Sequence, residues 1–295
     1  MNSNPASAEK ISIILPARDE SLAIGQTLAA ITQIFPSAEI IVVDDGSVDD
    51  TAKVARAAGA IVVSHPYSKG NGAAIKSGAR AATGDTLVFL DADGQHDPAD
   101  IPRLLSRLAE GSDMVVGARQ AGSQASLGRG VANWLYNRLA GYMTGHRVED
   151  LTSGFRAVRA KKFREFLYLL PNGFSYPTTI TMAFFRAGYS VVYEPIHAAR
   201  RTGKSHIRLI QDGLRFLLII FKIGTLYSPL KLFLPFSVLL FSLGTAWYAH
   251  TYIEQGRFTN MSALFYTGSI VVFLMGLISE QITGLMYKDS GERRD

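Results

Sequence analysis

Apolar residues recur through the first two thirds of the chain as short runs, each closed by a turn-forming residue. Ile11–Leu15, Ile40–Val43, Ile61–Val63, Leu87–Leu90 and Met114–Val116 are bounded by Gly, Pro, Asp or Ser. Runs this short with no polar alternation predict strands buried on both faces. Between them, segments 20–34, 49–58, 70–82 and 98–109 are rich in Ala, Leu and Ile and predict helices. Such alternation predicts an α/β domain with a mostly parallel sheet over residues 1–205. In sheets of this kind ligands bind beyond the carboxyl ends of the strands, where the polar motifs of this chain lie.

After residue 205 the pattern changes. Segment 207–226 mixes Arg208, Asp212, Arg215 and Lys222 with many Leu, Ile and Phe residues. This predicts an amphipathic helix lying in a membrane interface over 206–228, with a core helix of the preceding domain as the alternative. Residues 232–253 and 261–279 contain no Asp, Glu, Lys or Arg. Each is long enough to cross a hydrocarbon core of roughly 30 Å as a helix. They predict two spans, about 230–253 and 261–284, forming a hairpin within 229–288, and a tail over 289–295. Trp247, Tyr248 and Tyr252 gather near one end of the first span, as interfacial aromatics do. Lys222 and Lys231 precede the hairpin and Lys288, Arg293 and Arg294 follow it, while the link between the spans offers only Arg257. The positive-inside rule therefore puts the α/β domain and both termini in the cytoplasm. Glu280, near the inner end of the second span, is expected at the interface.

Composition sharpens this picture. The chain has 295 residues, 47% of them hydrophobic, and a mean hydropathy of +0.13, high for a soluble protein. The absence of cysteine excludes disulfides and thiolate metal sites. The N-terminal MNSNPASAEK has no basic segment followed by an apolar one, so no signal peptide is expected. A formal charge of +5 fits nucleic acid, anionic lipid or a phosphate-bearing substrate. Basic and aromatic residues do not interleave as in single-stranded nucleic-acid binders, so no nucleic-acid partner is expected.

The motifs carry the chemistry. In VVDDGSVDDT, Asp44 and Asp45 stand at a strand end, where carboxylates can accept from a nucleobase or ribose. Gly46 permits a tight turn, and Ser47 or Asp49 can cap the next helix. In DADGQ, after LVFL, Asp91 and Asp93 project to one side and with Gln95 make hard oxygen ligands suited to Mg²⁺ or Mn²⁺. His96 adjoins the motif and is expected to support rather than ligate. In SKGNGAAIKSGA, Lys69 can meet phosphate and the loop amides at a helix start favour anions. The Gly-Lys-Ser/Thr ending of a Walker A loop is missing, and no GxGxxG follows the first strand. Basic residues then cluster: Arg119, Arg129 with Asn133, Arg156 in DLTSGFR, and Arg200, Arg201 and Lys204 in ARRTGKS, the last before the amphipathic segment. That position suits a phosphate headgroup at a bilayer surface.

Taken in order, PARDE, VVDDGSVDDT, KGNG, DADGQ, GAR, SGFRA and RRTGKS resemble the family 2 glycosyltransferases of the GT-A fold. Within these the chain looks like the dolichyl-phosphate mannose synthase and GtrB-like group of polyprenyl-phosphate glycosyltransferases, over about residues 10–225 plus the hairpin. The resemblance implies a membrane-bound, metal-dependent, inverting hexosyltransferase. Its donor would be a nucleotide-sugar, with a UDP-sugar such as UDP-glucose favoured and GDP-mannose the alternative. Its acceptor would be undecaprenyl or dolichyl phosphate, and related proteins suggest a homo-oligomer. By the same resemblance Pro16, Arg18, Glu20, Asp44 and Asp45 line the nucleoside pocket, with Lys69 by the donor. Asp91, Asp93 and Gln95 hold metal and diphosphate. Arg119, Arg129 and Asn133 grip the lipid phosphate, with Ser153 and Arg156 shaping that site, and Arg201 and Lys204 belong to a loop closing over the donor. The chain departs from the pattern at Arg18, where an aromatic is common, at Asn133, where some relatives carry Ser, and at Thr178 and Thr179, where many are acidic.

A phosphate monoester has a second pKa of about 6 and is largely dianionic at neutral pH. It needs no strong base, so Asp150 is expected to position groups. Other readings are a transferase acting on a neutral lipid such as diacylglycerol, which would need a general base, and a catalytically silent nucleotide-binding scaffold. A processive polysaccharide synthase is disfavoured because QxxRW is missing.

Overall fold

The computed structural model describes residues 9–119, 127–173, 176–197, 221 and 224–292, without the side chains of 127–133 and 287–292. The described residues fall into two compact units. One lies within Met1–Gly141 and His146–His206, the other within Tyr142–Gly145 and Ile207–Asp295.

In the first unit the apolar runs form strands β1 (Ile11–Ala17), β2 (Glu39–Asp44), β3 (Ile61–Ser64), β4 (Thr86–Phe89) and β5 (Met114–Arg119). Helices α1 (Ile24–Ile34), α2 (Thr51–Ala57), α3 (Asn71–Ala81) and α4 (Ile101–Ala109) alternate with them. Then come α5 (Leu127–Thr144), β6 (Arg156–Arg159), α6 (Ala160–Arg164), α7 (Tyr176–Arg186) and β7 (Val191–Ile196). The seven strands pair in the order β3-β2-β1-β4-β6-β5-β7. All described pairs are parallel except the two that β6 makes with β4 and β5.

Central strands are apolar throughout because helices cover both faces. Ile13, Leu15, Val42, Val88 and Val115 are fully buried, and α1 and α4 add Ile24, Leu28, Ile31, Ile101, Leu104 and Leu108 at helical spacing. β6 and β7 are not continuous apolar runs. Arginines stand at both ends of β6, and β7 carries Glu194 and Pro195. β7 is an edge strand, where proline is tolerated. The chain leaves β1 toward β2 on one side of the sheet and returns to β4 on the other. That reversal opens a crevice beyond the carboxyl ends of β1 and β4.

The second unit is built on two long helices, α8 (Pro229–Gln255) and α9 (Asn260–Glu292). The apolar stretches Pro229–Gln255 and Asn260–Met286 are 27 residues each, with only 11% and 17% of their most apolar windows buried. Leu234, Phe236, Leu239, Phe241, Leu264, Ile270 and Leu274 face outward. A soluble core helix would hide such side chains, whereas lipid accepts them. Ser237 and Ser269 each donate a hydroxyl to the other's carbonyl at 2.9 Å. A Cβ on Gly276 would stand 2.9 Å from the Phe233 Cβ, so small residues set the helix approach. At one end of the hairpin Glu280 accepts from the Leu230 amide at 3.3 Å, and Lys231 donates to the Met143 carbonyl at 2.9 Å. Of the expected interfacial helix over 206–228, only 221 and 224–228 lie among the described residues.

Candidate active site

A cavity of about 390 Å³ occupies the crevice. The end of β1 contributes Pro16, Ala17, Arg18 and Glu20, and the end of β2 contributes Asp45. The loop after β3 and the start of α3 add Ser68, Gly70, Asn71 and Ala74. Asp91, Ala92 and Asp93 follow β4, while Thr152, Gly154, Tyr176 and Pro177 come from the turn before β6 and the start of α7. Cavities of this size suit a small-molecule ligand.

The first two motifs interlock through backbone amides. Asp19 takes a left-handed φ of 55°, receives the Val48 amide at 2.8 Å and gives its own to the Ser47 hydroxyl at 3.0 Å. Glu20 N donates to Thr51 Oγ1 at 2.8 Å, and Ser21 N donates to Asp49 Oδ2 at 3.1 Å. Asp49 also accepts from Thr51, and these bonds hold its carboxyl well below the usual range. Asp49 thus clamps the two loops as well as turning the chain into α2. Asp44 is buried, accepts from Ser47 N at 3.1 Å and does not line the cavity, so its carboxylate supports the loop.

Asp45 does line it, but its oxygens are engaged. Oδ1 is 2.7 Å from His65 Nδ1 and accepts the Lys69 amide at 2.8 Å. Oδ2 accepts the Gly70 amide and the Ser68 hydroxyl, each at 2.8 Å. Burial opposes its charge, yet these donors, His65 foremost, bring its pKa below the ordinary value. Arg18 Nη1 donates to Ser68 Oγ at 3.0 Å.

Part of the KGNG loop is engaged within the protein itself. The Lys69 and Gly70 amides go to Asp45, and the Ala73 amide goes to the Asn172 carbonyl at 3.1 Å. Lys69 extends its ammonium over the Tyr67 ring, 5.8 Å from the centroid, and does not line the cavity. The glycines serve packing: a Cβ on Gly72 would lie 2.1 Å from the Pro171 carbonyl oxygen, and one on Gly70 2.5 Å from that of Asn172. Lys76 completes this seam, donating to Leu170 O at 3.0 Å and Asn172 Oδ1 at 2.6 Å.

Around DADGQ the situation is different. The Asp91 side chain is 35% exposed, with the buried His96 Nε2 3.7 Å from its Oδ2. His96 rests on Phe155 at 5.2 Å between ring centroids, and its Nδ1 has no hydrogen-bond partner among the described residues. Gln95 enters through its backbone, donating to Asp93 Oδ1 at 3.1 Å. Gly154 leaves room beside the carboxylate, since a Cβ there would meet Asp91 Oδ2 at 3.1 Å. Among the described residues no three His, Asp or Glu side chains converge as a metal cage. Two carboxylates are what Mg²⁺ or Mn²⁺ needs when a diphosphate and water complete its shell, so the donor set fits a shared divalent ion.

Beside the cavity, Arg119 and Asp150 form a two-pronged pair: Nε to Oδ2 at 2.8 Å and Nη2 to Oδ1 at 3.0 Å. Nη2 also reaches Thr152 Oγ1 at 2.6 Å. The bond to Asp150 raises the Arg119 pKa; burial of Asp150 is outweighed by Arg119, which lowers the carboxyl's. Arg156 and Ser153 do not line the cavity. Arg156 is fully buried, donates to Pro177 O and Thr181 Oγ1 at 3.2 Å and also to Ser153 O, and lies 5.9 Å from the Tyr176 ring centroid. Burial pulls its pKa below the ordinary value. It packs against Tyr176 and Pro177, which line the cavity, and so shapes the site from beneath. Ser153 is 1% exposed. Thr178 accepts from the Tyr136 hydroxyl at 3.0 Å, and burial pushes Tyr136 up to about 12. Arg129 and Asn133 lie on α5, with side chains outside the described residues, as are Arg201 and Lys204 altogether.

Known proteins agree with this geometry. The glycosyl transferase family 2 profile matches residues 12–167, from the start of β1 to beyond α6. The chain belongs to glycosyl transferase family 2. The last two helices of this glycosyltransferase match the GtrB C-terminal hairpin over residues 228–285, and both are long and apolar enough to cross a membrane. The undecaprenyl-phosphate 4-deoxy-4-formamido-L-arabinose transferase of Pectobacterium carotovorum is 32% identical, over 95% of this chain and 90% of its own. Its counterpart in Pseudomonas aeruginosa is 28% identical, over 97% and 88%. Among solved structures, glucosyl-3-phosphoglycerate synthase from Mycobacterium tuberculosis, in complex with Mn²⁺, UDP and glucosyl-3-phosphoglycerate, superposes with a TM-score of 0.59 at 25% identity. That match covers 74% of the glycosyltransferase and 79% of the synthase. The GT-A architecture expected from the motifs is therefore present.

Proposed function

We propose that this glycosyltransferase moves a sugar from a UDP-sugar onto a polyprenyl phosphate at the cytoplasmic face of a membrane, inverting the anomeric centre. The observation that carries this reading is one chain holding both a cavity lined by Asp91 and Asp93 and a hairpin with an apolar outer surface. A water-soluble donor and a lipid acceptor require those two features together. The names of the Pectobacterium and Pseudomonas relatives, which give undecaprenyl phosphate, support the acceptor. The UDP in the mycobacterial synthase supports the donor, with UDP-glucose the favoured sugar to try first. The lysines and arginines flanking the hairpin favour a cytoplasmic catalytic domain and cytoplasmic termini.

Asp91 and Asp93, joined by Gln95, would hold a Mg²⁺ or Mn²⁺ whose chemistry is to offset the charge gathering on the departing diphosphate. The acceptor phosphate, largely dianionic at neutral pH, attacks the anomeric carbon directly. One bond forms to its oxygen as the bond to the diphosphate breaks, which inverts the centre. No side chain need remove a proton, and Asp150 is committed to Arg119. That pair instead fixes Thr152 at the cavity wall. Arg119, Arg129 and Asn133 remain the candidates for orienting the acceptor phosphate.

The test uses purified protein in detergent with undecaprenyl phosphate, Mg²⁺ or Mn²⁺, and labelled UDP-glucose, UDP-N-acetylhexosamine and GDP-mannose. Label entering the organic phase from a UDP-sugar, abolished by EDTA, is the expected result. Transfer from GDP-mannose alone would replace the donor, and transfer to diacylglycerol but not to the lipid phosphate would contradict the proposal.

A further inference from the structure

Behind the cavity wall lies a buried group that contributes no atom to it. His65, 8% exposed, is held at both ring nitrogens: Nδ1 is 2.7 Å from Asp45 Oδ1 and Nε2 is 2.9 Å from Ser77 Oγ. An ionised carboxylate only accepts, so Nδ1 carries a proton and donates to Asp45, while Nε2 pairs with the Ser77 hydroxyl. Asp45 spends its remaining capacity on the amides of Lys69 and Gly70 and on the Ser68 hydroxyl. Ser68 in turn receives Arg18. The hydrogen bonds therefore run from Ser77 on α3 through His65, Asp45 and Ser68 to Arg18 beyond β1. Asp45, Ser68, Gly70 and Arg18 all line the cavity, whereas His65 and Ser77 do not. Close packing holds the same loop from the other side, since a Cβ on Gly46 would stand 2.6 Å from the Ser68 nitrogen.

We infer that His65 is a positioning residue for the nucleoside-diphosphate pocket: through Asp45 it sets where Ser68, Gly70 and Arg18 stand, and Ser77 locks the orientation of its ring. The inference rests on reading the cavity as the donor pocket. Its consequence is selective. Losing the N–H that His65 gives Asp45 loosens the donor side of the cavity and leaves Asp91 and Asp93 in place. Donor affinity should fall while turnover at saturation persists.

The experiment uses the full chain in detergent and three variants. His65→Leu fills the space without a donor, His65→Asn keeps a side-chain N–H toward Asp45, and Ser77→Ala removes the lock. Calorimetric titration with UDP and with GDP, donor KM and kcat, and melting temperature are measured for each. His65→Leu should weaken UDP binding about tenfold, equivalent to about 1.4 kcal/mol, and raise donor KM similarly, with kcat within about twofold. His65→Asn should restore binding to within about threefold of wild type. If His65→Leu fails to fold, Ser77→Ala should still weaken UDP binding by about threefold. A His65→Leu protein that melts like wild type and binds UDP equally well overturns the inference. So does loss of kcat at unchanged donor KM, or His65→Asn as weak as His65→Leu. A wild-type protein that binds neither UDP nor GDP overturns the donor reading itself, and the inference with it.

Discussion

Asp45 and Asp91 each stand just beyond the carboxyl end of a central strand and line the same cavity, yet their surroundings differ. Asp45 is 6% exposed in its side chain and takes four donors, from His65, Ser68, Lys69 and Gly70. Asp91 is 35% exposed, with His96 3.7 Å away. A carboxylate offers about four acceptor sites, so Asp45 has none left for a ligand while Asp91 has several. Two aspartates that look equivalent in the motifs divide the work: one builds the pocket wall and the other is placed to meet what enters.

The sharpest way to break this comparison is to remove the entering side. Asp91→Ala should cost roughly 10²–10³-fold in transfer under saturating metal, about 3–4 kcal/mol of barrier, while the melting temperature stays near wild type. Full activity would show that Asp91 holds nothing. The scaffold side responds through stability. Gly72→Ala forces a Cβ to within 2.1 Å of the Pro171 carbonyl oxygen, and backbone must move. A loss of about 2–3 kcal/mol in stability, with weaker UDP binding, is expected from denaturant melts and titration.

Next comes the ion pair beside Thr152. Asp150→Asn should destabilise by about 2 kcal/mol at pH 7, less than a wholly buried pair because Arg119 is 28% exposed. The sign follows from linkage. The folded carboxyl titrates below its ordinary 3.8, so its stabilisation is complete above that value and is lost as pH falls through the folded one. The gap between wild type and variant should therefore close below about pH 4. The smallest effect belongs to the hairpin. Ser237→Ala removes one of two reciprocal hydroxyl–carbonyl bonds and should cost about 0.5–1 kcal/mol, read as a small shift in detergent melting, with donor KM unchanged.

The strands that carry the cavity were legible because β1 to β5 are unbroken apolar runs, and both apolar stretches of the hairpin were legible by length. The Asp91 and Asp93 pair was legible because strand-end carboxylates two apart share a side. The scaffold was not, because its partners are far apart in sequence. Asn172, whose carbonyl takes the Ala73 amide at the start of α3, lies about a hundred residues beyond that helix start. Arg156 illustrates the same limit. An arginine in SGFRA looks like an anion ligand until the fold places it among Pro177, Thr181 and Ser153 with no exposed surface. His65 carried no ligand spacing at all, since its meaning depends on β2 and α3 meeting around it.

The division of labour between Asp45 and Asp91 is tested most directly by Mn²⁺ binding, followed by electron paramagnetic resonance with UDP at saturation. Wild type, Asp45→Asn and Asp91→Asn are compared. Asp91→Asn should lose the UDP-dependent uptake of Mn²⁺, whereas Asp45→Asn should need more UDP and then take up Mn²⁺ as wild type does. Mn²⁺ uptake that survives in Asp91→Asn and vanishes in Asp45→Asn would contradict the account.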